Sequence, residues 1–314
     1  MIGNFGGGRT LGSAMQPAAE TSSAPKSEAR AEGRVRKALV LLNEKAGSVG
    51  PEAASQLVEA LNTSGVGEFV IVDATRMSRR LFQRADQFDA IIVLGGDGTA
   101  RAAAELAPRD GPPLVLLPGG TLNILPKALY GERTWLEAVA AVLERGVERR
   151  LPVGRANGEA FYVAGFFGPP TLLARARESV RAGKPLQAVQ RFRHFLHRSF
   201  TRSIRARAGK DKMRKAEGIG VLCPSFSGGI EADHLEWVRL DAKHLLDLAR
   251  VSLRALSRDW RNDSTVEIGA CQTGDIYAPG IIPATLDGEP RRFLSYVRIT
   301  FDKHGPKVLA LDEE

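Results

Sequence analysis

From Lys37 onward, apolar residues form short continuous runs that alternate with helical patterns. The runs KALVLLN, EFVIVDA, DAIIVLGG and PLVLLPGG predict strands. Helical patterns lie between them, over 51–64, 76–86, about 99–106, a short stretch after Thr121, and 135–145. Strands that are apolar on both faces and alternate with helices are typical of a parallel sheet covered on both sides. We therefore predict that the first domain is a doubly wound α/β unit.

The pattern changes after Arg149 to shorter, alternating segments. RLPVGRA, AFYVAGFFG and GIGVLCPSF predict strands, a helix is expected from about Asp241 to Trp260, and turn-separated strands follow. This pattern indicates a mainly antiparallel, β-rich second domain. The predicted boundaries are a disordered Gly/Ala/Ser-rich tail over 1–34, a first domain over 35–147 joined by the C-terminal segment 300–314, and a second domain over 148–299.

Composition is that of a globular protein, with 43% hydrophobic and 25% charged residues among 314. Two cysteines, Cys223 and Cys271, lie far apart and indicate neither a disulfide framework nor a cysteine metal site. No apolar run approaches the roughly 20 residues that cross a bilayer, and the first residues lack the apolar stretch of a signal peptide. We expect a cytoplasmic protein.

The net charge of +8 comes from one segment. Residues 175–215 contain fourteen Lys or Arg and only two acids, so the rest of the chain is net acidic. Helical spacing within this segment places an apolar stripe that ends at Ile204 opposite a group of arginines that includes Arg205. This basic helical insertion either packs on its own domain with a solvated arginine face or lies on an anionic membrane surface.

The sequence VLGGDGT contains the first motif with chemical meaning. An apolar strand leads directly into Gly95, Gly96, Asp97, Gly98 and Thr99, and a helix follows. Glycines let the backbone approach phosphates, and a helix N-terminus favours anions. A carboxylate among them fits if Mg²⁺ lies between Asp97 and the phosphates. The alternative is a tight strand-to-helix turn with a polar cap.

A second motif, LLPGGTLNIL, follows the next apolar strand and contains Gly120, Thr121 and Asn123. Open α/β sheets bind ligands outside the carboxyl ends of their strands. Two Gly-Thr loops at successive strand ends therefore predict one shared crevice, and their coincidence is more specific than either loop alone.

With these motifs the chain resembles the catalytic domain of the diacylglycerol kinase family, including its bacterial soluble lipid kinases. More distantly, it is similar to sphingosine and ceramide kinases. Asn43 and Gly47 in LLNEKAGS resemble the first nucleotide loop of the family, and Thr75 resembles its nucleotide-contacting threonine. GGDGT is similar to the family signature, and Gly120, Thr121 and Asn123 match the following PxGTxN. The resemblance implies ATP, Mg²⁺ and a membrane lipid hydroxyl.

The segment LDGEP resembles the DGE segment of the family, whose carboxylates include the proposed proton acceptor. On this resemblance Glu289 is the first choice for the general base and Asp287 the second. A carboxylate placed on the hydroxyl proton assists attack on the γ-phosphorus, while positioning and charge neutralisation supply most of the rate. Asp-Gly is also a frequent hairpin turn, which is the alternative interpretation.

The chain departs from the family pattern at several positions. Arg101 and Ala102 follow GGDGT where the family usually has Asn-Glu or a similar pair, Ile124 replaces an Asp, and Glu44 replaces a Pro. The structural metal loop of the family has a degenerate counterpart in EADHLEW, where Asp233 and Glu236 are the candidate ligands.

The leading hypothesis is an ATP-dependent lipid kinase that acts peripherally at the inner membrane surface, with a lipid substrate and an anionic membrane contacted through 175–215. An NAD kinase-like enzyme shares GGDGT, but neither its GSTAY-type segment nor its paired Asn-Glu is present. A catalytically weak or inactive lipid- or nucleotide-binding protein of the same fold is the non-enzymatic alternative. Nucleic-acid binding ranks last because few aromatic residues are placed for base stacking.

Overall fold

The computed structural model describes residues 35–168, 204–227, 232–241 and 265–312. The predicted 1–34 tail, most of the 175–215 insertion and the helix expected after Asp241 lie outside these ranges. In the ranges described, the chain forms a mostly parallel sheet whose strands are connected by helices, and a second, antiparallel sheet. The predicted fold class is therefore confirmed.

The first sheet has six strands in the order β2-β1-β3-β4-β16-β5. Its strands are β1 Lys37–Leu42, β2 Glu68–Asp73, β3 Ala90–Gly95, β4 Leu114–Pro118, β5 Val147–Arg150 and β16 Lys307–Ala310. Strands β1 to β4 run parallel, β16 continues in parallel beside β4, and β5 is antiparallel to β16. Every residue of β3 and β4 is buried, as the continuous apolar runs predicted.

The helices of this part connect successive strands. They are α1 Ala53–Thr63, α2 Arg79–Gln83, α3 Asp97–Leu106, α4 Ile124–Tyr130 and α5 Trp135–Arg145. A capping box begins α5, because the Thr134 hydroxyl accepts from the Glu137 backbone N–H while the Glu137 carboxylate accepts from the Thr134 N–H. The single helix predicted over 76–86 is wrong, because extended backbone at Met77 and the Ser78 cap delay α2 until Arg79.

The second sheet is antiparallel. Its main path runs β13-β12-β11-β8-β14-β15-β6-β7, and β9 joins β14 beside it and pairs with β10. The strands are β6 Val153–Ala156, β7 Glu159–Phe161, β8 Ala164–Phe167, β9 Ile204–Ala208, β10 Arg214–Ala216, β11 Gly218–Leu222, β12 Leu235–Leu240, β13 Val266–Cys271, β14 Thr273–Leu286 and β15 Glu289–Asp302. A one-turn helix, Pro224–Ser227, follows β11.

The helix expected through 215 is wrong over the described end of the basic insertion. Residues 204–208 and 214–216 are strands instead. Ile204 and Ala206 are buried while Arg205 and Arg207 are exposed, so this short stretch satisfies a period of two as well as a helical one. Backbone pairing of β9 with both β14 and β10 selects the strand.

Two hydrophobic clusters stabilise these layers. One contains the strands of the first sheet and extends to residues of the second, including Tyr162, Val163, Leu222 and Val238. The other fills the opposite side of the second sheet around Trp237 and Phe293. In the part of the chain that the structure describes, no helix is long and apolar enough to cross a membrane.

One acidic side chain lies at the centre of an ionic cluster on the second sheet. Asp275 is buried and accepts hydrogen bonds from Arg207 Nε at 2.7 Å, Tyr296 Oη at 2.6 Å and an Arg298 guanidinium nitrogen at 2.6 Å. Burial alone opposes ionisation, but these three donors outweigh it and lower the pKa of Asp275 to about 2.

We expect Asp275→Asn to lower the free energy of unfolding by about 2 kcal/mol at pH 7, since one pKa unit corresponds to about 1.4 kcal/mol. The folded-state pKa lies below the usual value, so this stability is present above about pH 4 and is lost as the pH falls towards 2. Urea unfolding of both proteins measures this effect. The difference in their free energies of unfolding should be roughly half as large at pH 3 as at pH 7. The exposed acid Asp86 provides the control, and Asp86→Asn should change stability by less than about 0.5 kcal/mol. A difference between wild type and Asp275→Asn that stays constant with pH would contradict the ionic role.

Candidate active site

The candidate site lies at the carboxyl edge of the parallel strands. Strands β1 and β3 are neighbours, and the chain continues from β1 to β2 on one side and from β3 to β4 on the other. The sheet therefore changes direction between β1 and β3, which is where open α/β sheets bind ligands. The loops after β1, β3 and β4 all open at this point.

The loops after β3 and β4 are in backbone contact. The Gly119 N–H donates to the Gly95 carbonyl at 2.8 Å. A Cβ on Gly120 would stand 2.7 Å from Gly96 Cα, and one on Gly119 would stand 3.0 Å from the backbone of Gly95. Glycine is required here because the two loops approach each other more closely than a Cβ atom permits.

Asn123 joins these two loops. Its backbone is left-handed, with φ of 52°, and its side-chain Oδ1 accepts from the Gly120 N–H at 2.6 Å while Nδ2 donates to the Gly120 carbonyl at 2.8 Å. Its own backbone N–H donates to Asp97 Oδ2 at 2.9 Å. Asparagine tolerates the left-handed conformation better than most residues, so its type and position are both explained.

The loop after β1 completes the group. Asn43 Nδ2 donates to Thr99 Oγ1 at 3.0 Å, and a Cβ on Gly47 would stand 3.2 Å from Thr121 Oγ1. The Ser48 N–H also donates to the Gly119 carbonyl at 3.0 Å. The structure thus brings together the predicted residues of all three loops and adds Ser48, which the motifs did not indicate.

Asp97 is the charged residue at the centre of this arrangement. It begins α3 directly after Gly96, and no side chain of the described residues caps this helix N-terminus. While Asp97 Oδ2 accepts from Asn123, Asp97 Oδ1 is buried without a hydrogen-bond partner in the described ranges. A buried carboxylate oxygen without a partner is costly unless a donor or cation completes it. The residues present therefore fit a Mg²⁺ ion at this position.

Thr75 lies at the same edge, after β2 and one strand further out. Its N–H and hydroxyl donate to Asp73 Oδ1 at 2.7 and 2.6 Å, and these hydrogen bonds lower the pKa of Asp73. Both residues are exposed. The local hydrogen bonds cap a short 3₁₀ turn over Ala74–Arg76, so a role of Thr75 in nucleotide binding stays a prediction.

Residues 37–156 match the family model described as the diacylglycerol kinase catalytic domain. The likeness to this family is therefore shown for this segment, which is less than half of the chain. The diacylglycerol kinase of Bacillus subtilis is 37% identical over 91 residues, which cover 28% of this chain and 29% of that protein. The chain thus aligns with less than half the length of the curated relatives it matches.

Solved structures extend the likeness to the fold of most of the chain. A diacylglycerol kinase structure from Bacillus anthracis superposes with a TM-score of 0.63 and 15% identity, and covers 89% of this chain and 98% of its own. An NAD kinase from Archaeoglobus fulgidus, solved in complex with ATP, superposes with a TM-score of 0.50 and 14% identity over 87% of this chain and 92% of its own. At these identities the comparison shows a shared fold.

Outside the family-model segment, the turn between β14 and β15 places Asp287 against residues 162–164, at the start of β8, and against helix α3. Its carboxylate accepts the backbone N–H groups of Tyr162 at 2.8 Å, Val163 at 2.9 Å and Ala164 at 3.0 Å. Asp287 is almost completely buried and has a positive φ of 49°. Burial raises the pKa of Asp287, although the three N–H donors and Arg101 partly oppose this effect.

Helix α3, which begins at Asp97, contacts this turn through Arg101, whose Nε lies 3.8 Å from Asp287 Oδ2. Glu289, two residues further along, begins β15 and is exposed. The structure therefore assigns different environments to the two predicted carboxylates. Sequence reasoning identified Arg101 only as a departure from the family pattern. The backbone donors at 162–164 had no motif by which to find them.

Asp233 precedes β12 of the second sheet, and Glu236 lies within it. The Asp233 carboxylate is 3.1 Å from His234 Nδ1. Within the described ranges, no group of three or more His, Cys, Asp or Glu residues could hold a metal ion. The metal site suggested for Asp233 and Glu236 stays a prediction.

The close contact between the loops after β3 and β4 can be tested directly by substitution. We expect Gly120→Ala to lower the free energy of unfolding by about 1–3 kcal/mol, because the added Cβ meets the backbone of Gly96. Gly50→Ala is the control, since its Cβ would meet no atom within 4 Å and should change stability by less than about 0.5 kcal/mol. Equal unfolding midpoints for the two variants in denaturant would contradict the proposed packing.

Proposed function

We propose that the protein is an ATP-dependent lipid kinase that transfers the γ-phosphoryl group of ATP to the hydroxyl of a diacylglycerol-like membrane lipid. The observation that carries this proposal is the junction of the two glycine loops around Asp97, within a segment that matches the diacylglycerol kinase catalytic domain. The fold shared with a diacylglycerol kinase structure over most of the chain supports it.

The nucleotide side of the reaction uses the three loops after β1, β3 and β4. Their glycines leave room for phosphate oxygens to approach the backbone, and the start of α3, which no side chain of the described residues caps, favours negative charge. Asp97 is the residue that would hold Mg²⁺, because oxygen ligands suit this cation and Asp97 Oδ1 lacks a partner in the described chain. When bound, Mg²⁺ neutralises charge on the phosphates.

The acceptor side uses the turn between β14 and β15. Both oxygens of Asp287 already accept backbone N–H groups, so Asp287 is suited to holding the turn. The exposed carboxylate of Glu289 is available to a substrate and acts as the general base. Glu289 takes the proton of the lipid hydroxyl, the hydroxyl oxygen forms a bond to the γ-phosphorus, and the bond from that phosphorus to the β-phosphate oxygen breaks to release ADP.

Peripheral contact with an anionic membrane surface belongs to the same proposal. Residues 175–215 carry more positive charge than the net +8 of the whole chain, and the described end of this segment presents exposed Arg205 and Arg207 from β9. Basic residues near anionic headgroups contribute roughly 1 kcal/mol each. This contact would bring the enzyme to its lipid substrate.

Incubation with γ-³²P-ATP, Mg²⁺ and a total lipid extract tests the function directly. We expect the label to enter the organic phase, where mass spectrometry of the labelled lipid identifies the acceptor. The same incubation with NAD serves as the competing assay, and label in NADP would instead establish an NAD kinase. ATP binding without transfer to either acceptor would favour the non-enzymatic alternative and contradict the lipid kinase.

Two substitutions test the assigned roles in the lipid kinase assay. Glu289→Gln should lower kcat by about 100-fold or more, because the variant cannot accept the hydroxyl proton. Asp97→Asn should weaken Mg²⁺-dependent ATP binding, which isothermal titration calorimetry measures with and without the cation. Glu144→Gln, on the exposed face of α5, is the matched control and should leave kcat unchanged. Wild-type kcat in Glu289→Gln would show that another group takes the proton.

A further inference from the structure

Arg101 lies in helix α3, one turn after Asp97, so both side chains occupy the same face of the helix. Only 12% of its side chain is exposed, and its Nε is buried without a hydrogen-bond partner in the described ranges. A buried guanidinium is unusual unless it is paired with negative charge. The position therefore calls for a specific role.

Two carboxylates flank this guanidinium. Arg101 Nε lies 3.8 Å from Asp287 Oδ2, and a terminal guanidinium nitrogen lies 3.6 Å from Glu105 Oε2 on the next turn of α3. Glu105 is half-exposed, whereas Asp287 is almost completely buried. The ion pair with Asp287 is thus less accessible to solvent than the ion pair with Glu105, and water screens its charges less.

This ion pair joins the two halves of the proposed reaction. Arg101 belongs to the helix that begins at the glycine loop, and Asp287 belongs to the turn that leads to Glu289. The turn is a two-residue Asp-Gly hairpin with φ of 49° at Asp287 and 84° at Gly288, and contacts of the Asp287 side chain fix the turn against its surroundings. Those contacts are the three N–H donors at 162–164 on one side and the Arg101 charge on the other.

We propose that Arg101 is a positioning residue that holds the Asp287 turn against α3 and so places Glu289 opposite the nucleotide loops. The inference rests on the proposed lipid kinase function. Arg101 acts through Asp287, and its charge compensates a carboxylate that is otherwise buried among backbone groups. The placement of the general base then depends on an ion pair between residues that are distant in sequence.

Steady-state kinetics of Arg101→Met and Arg101→Lys test this role, because methionine removes the charge and lysine keeps it. We expect Arg101→Met to lower kcat at least 10-fold while KM for ATP and for lipid stays within about 3-fold. Arg101→Lys should recover most of the lost kcat. The matched control is Arg109→Met, which removes an exposed arginine paired with Asp302 of β15 and should leave kcat unchanged.

Coupling to Asp287 is measured with the double variant. If Arg101 acts through Asp287, Asp287→Asn added to Arg101→Met should lower kcat much less than it does in the wild type. A full additional loss from the second substitution would overturn the proposal. A large rise in KM for ATP with kcat retained would also overturn it, because Arg101 would then contact the nucleotide directly.

Hydrogen exchange supplies a measurement that needs no activity. Amide protons of Tyr162, Val163 and Ala164 donate to Asp287, so their exchange should accelerate several-fold in Arg101→Met and remain at the wild-type rate in Arg109→Met. Unchanged exchange would overturn the proposed support of the turn. Faster exchange with an unchanged kcat would also overturn the positioning role, because Arg101 would then serve only stability.

The two proposals fail in different ways. A wild-type protein that transfers no phosphate to lipid loses the kinase function, and with it the placement of Glu289 as a base. Hydrogen exchange would still decide whether Arg101 holds the turn. Conversely, an active wild type with unaffected Arg101 variants retains the kinase function and loses only the positioning role.

Discussion

The close approach of two glycine loops is the constraint on which the site depends. Strands β3 and β4 are parallel neighbours, so their loops leave the sheet side by side and meet where a Cβ would have no room. This contact places Asn123 within reach of Asp97, and the resulting hydrogen bond occupies one carboxylate oxygen, while the other is buried without a partner among the described residues. A local steric condition thereby determines where a charge is available for chemistry.

The second condition is electrostatic and comes from the way in which the two sheets share a core. Tyr162 and Val163 pack in the hydrophobic cluster of the first sheet, so the N–H groups of this segment are directed by side-chain packing. Asp287 accepts those N–H groups and lies beside Arg101. Hydrophobic packing thus creates a binding position for a carboxylate, and an arginine on the opposite element balances its charge.

Much of the fold was predictable because its signals are local. Continuous apolar runs identified β1, β3 and β4, and a helical pattern identified α5 from Trp135 to Arg145. Residues 204–208 were predicted wrongly, because five alternating residues fit both periods and the neighbouring strand β14 decides between them. The local sequence does not indicate which distant strand will pair with this stretch.

The candidate site likewise contains residues that could be predicted from the sequence and residues that could not. Asp97, Thr99 and Gly120 were found because their loops follow predicted strands. Asn43 and Asn123 were found through the family resemblance, and the structure brings all five residues together. The environment of Asp287 could not be predicted, because its donors lie more than a hundred residues away and are backbone groups that any residue type supplies. Arg101 needed the structure for the same reason.

Strand β16 has a consequence for the order in which the protein assembles. It lies between β4 and β5 in the first sheet, yet in the chain it follows every strand of the second sheet. During synthesis β4 and β5 must therefore wait, with unsatisfied edges, until the whole second sheet has been made. Unpaired strand edges expose a nascent chain to aggregation. The first sheet can therefore be completed only after the residues of the second sheet have been synthesised, although most of its own residues leave the ribosome earlier.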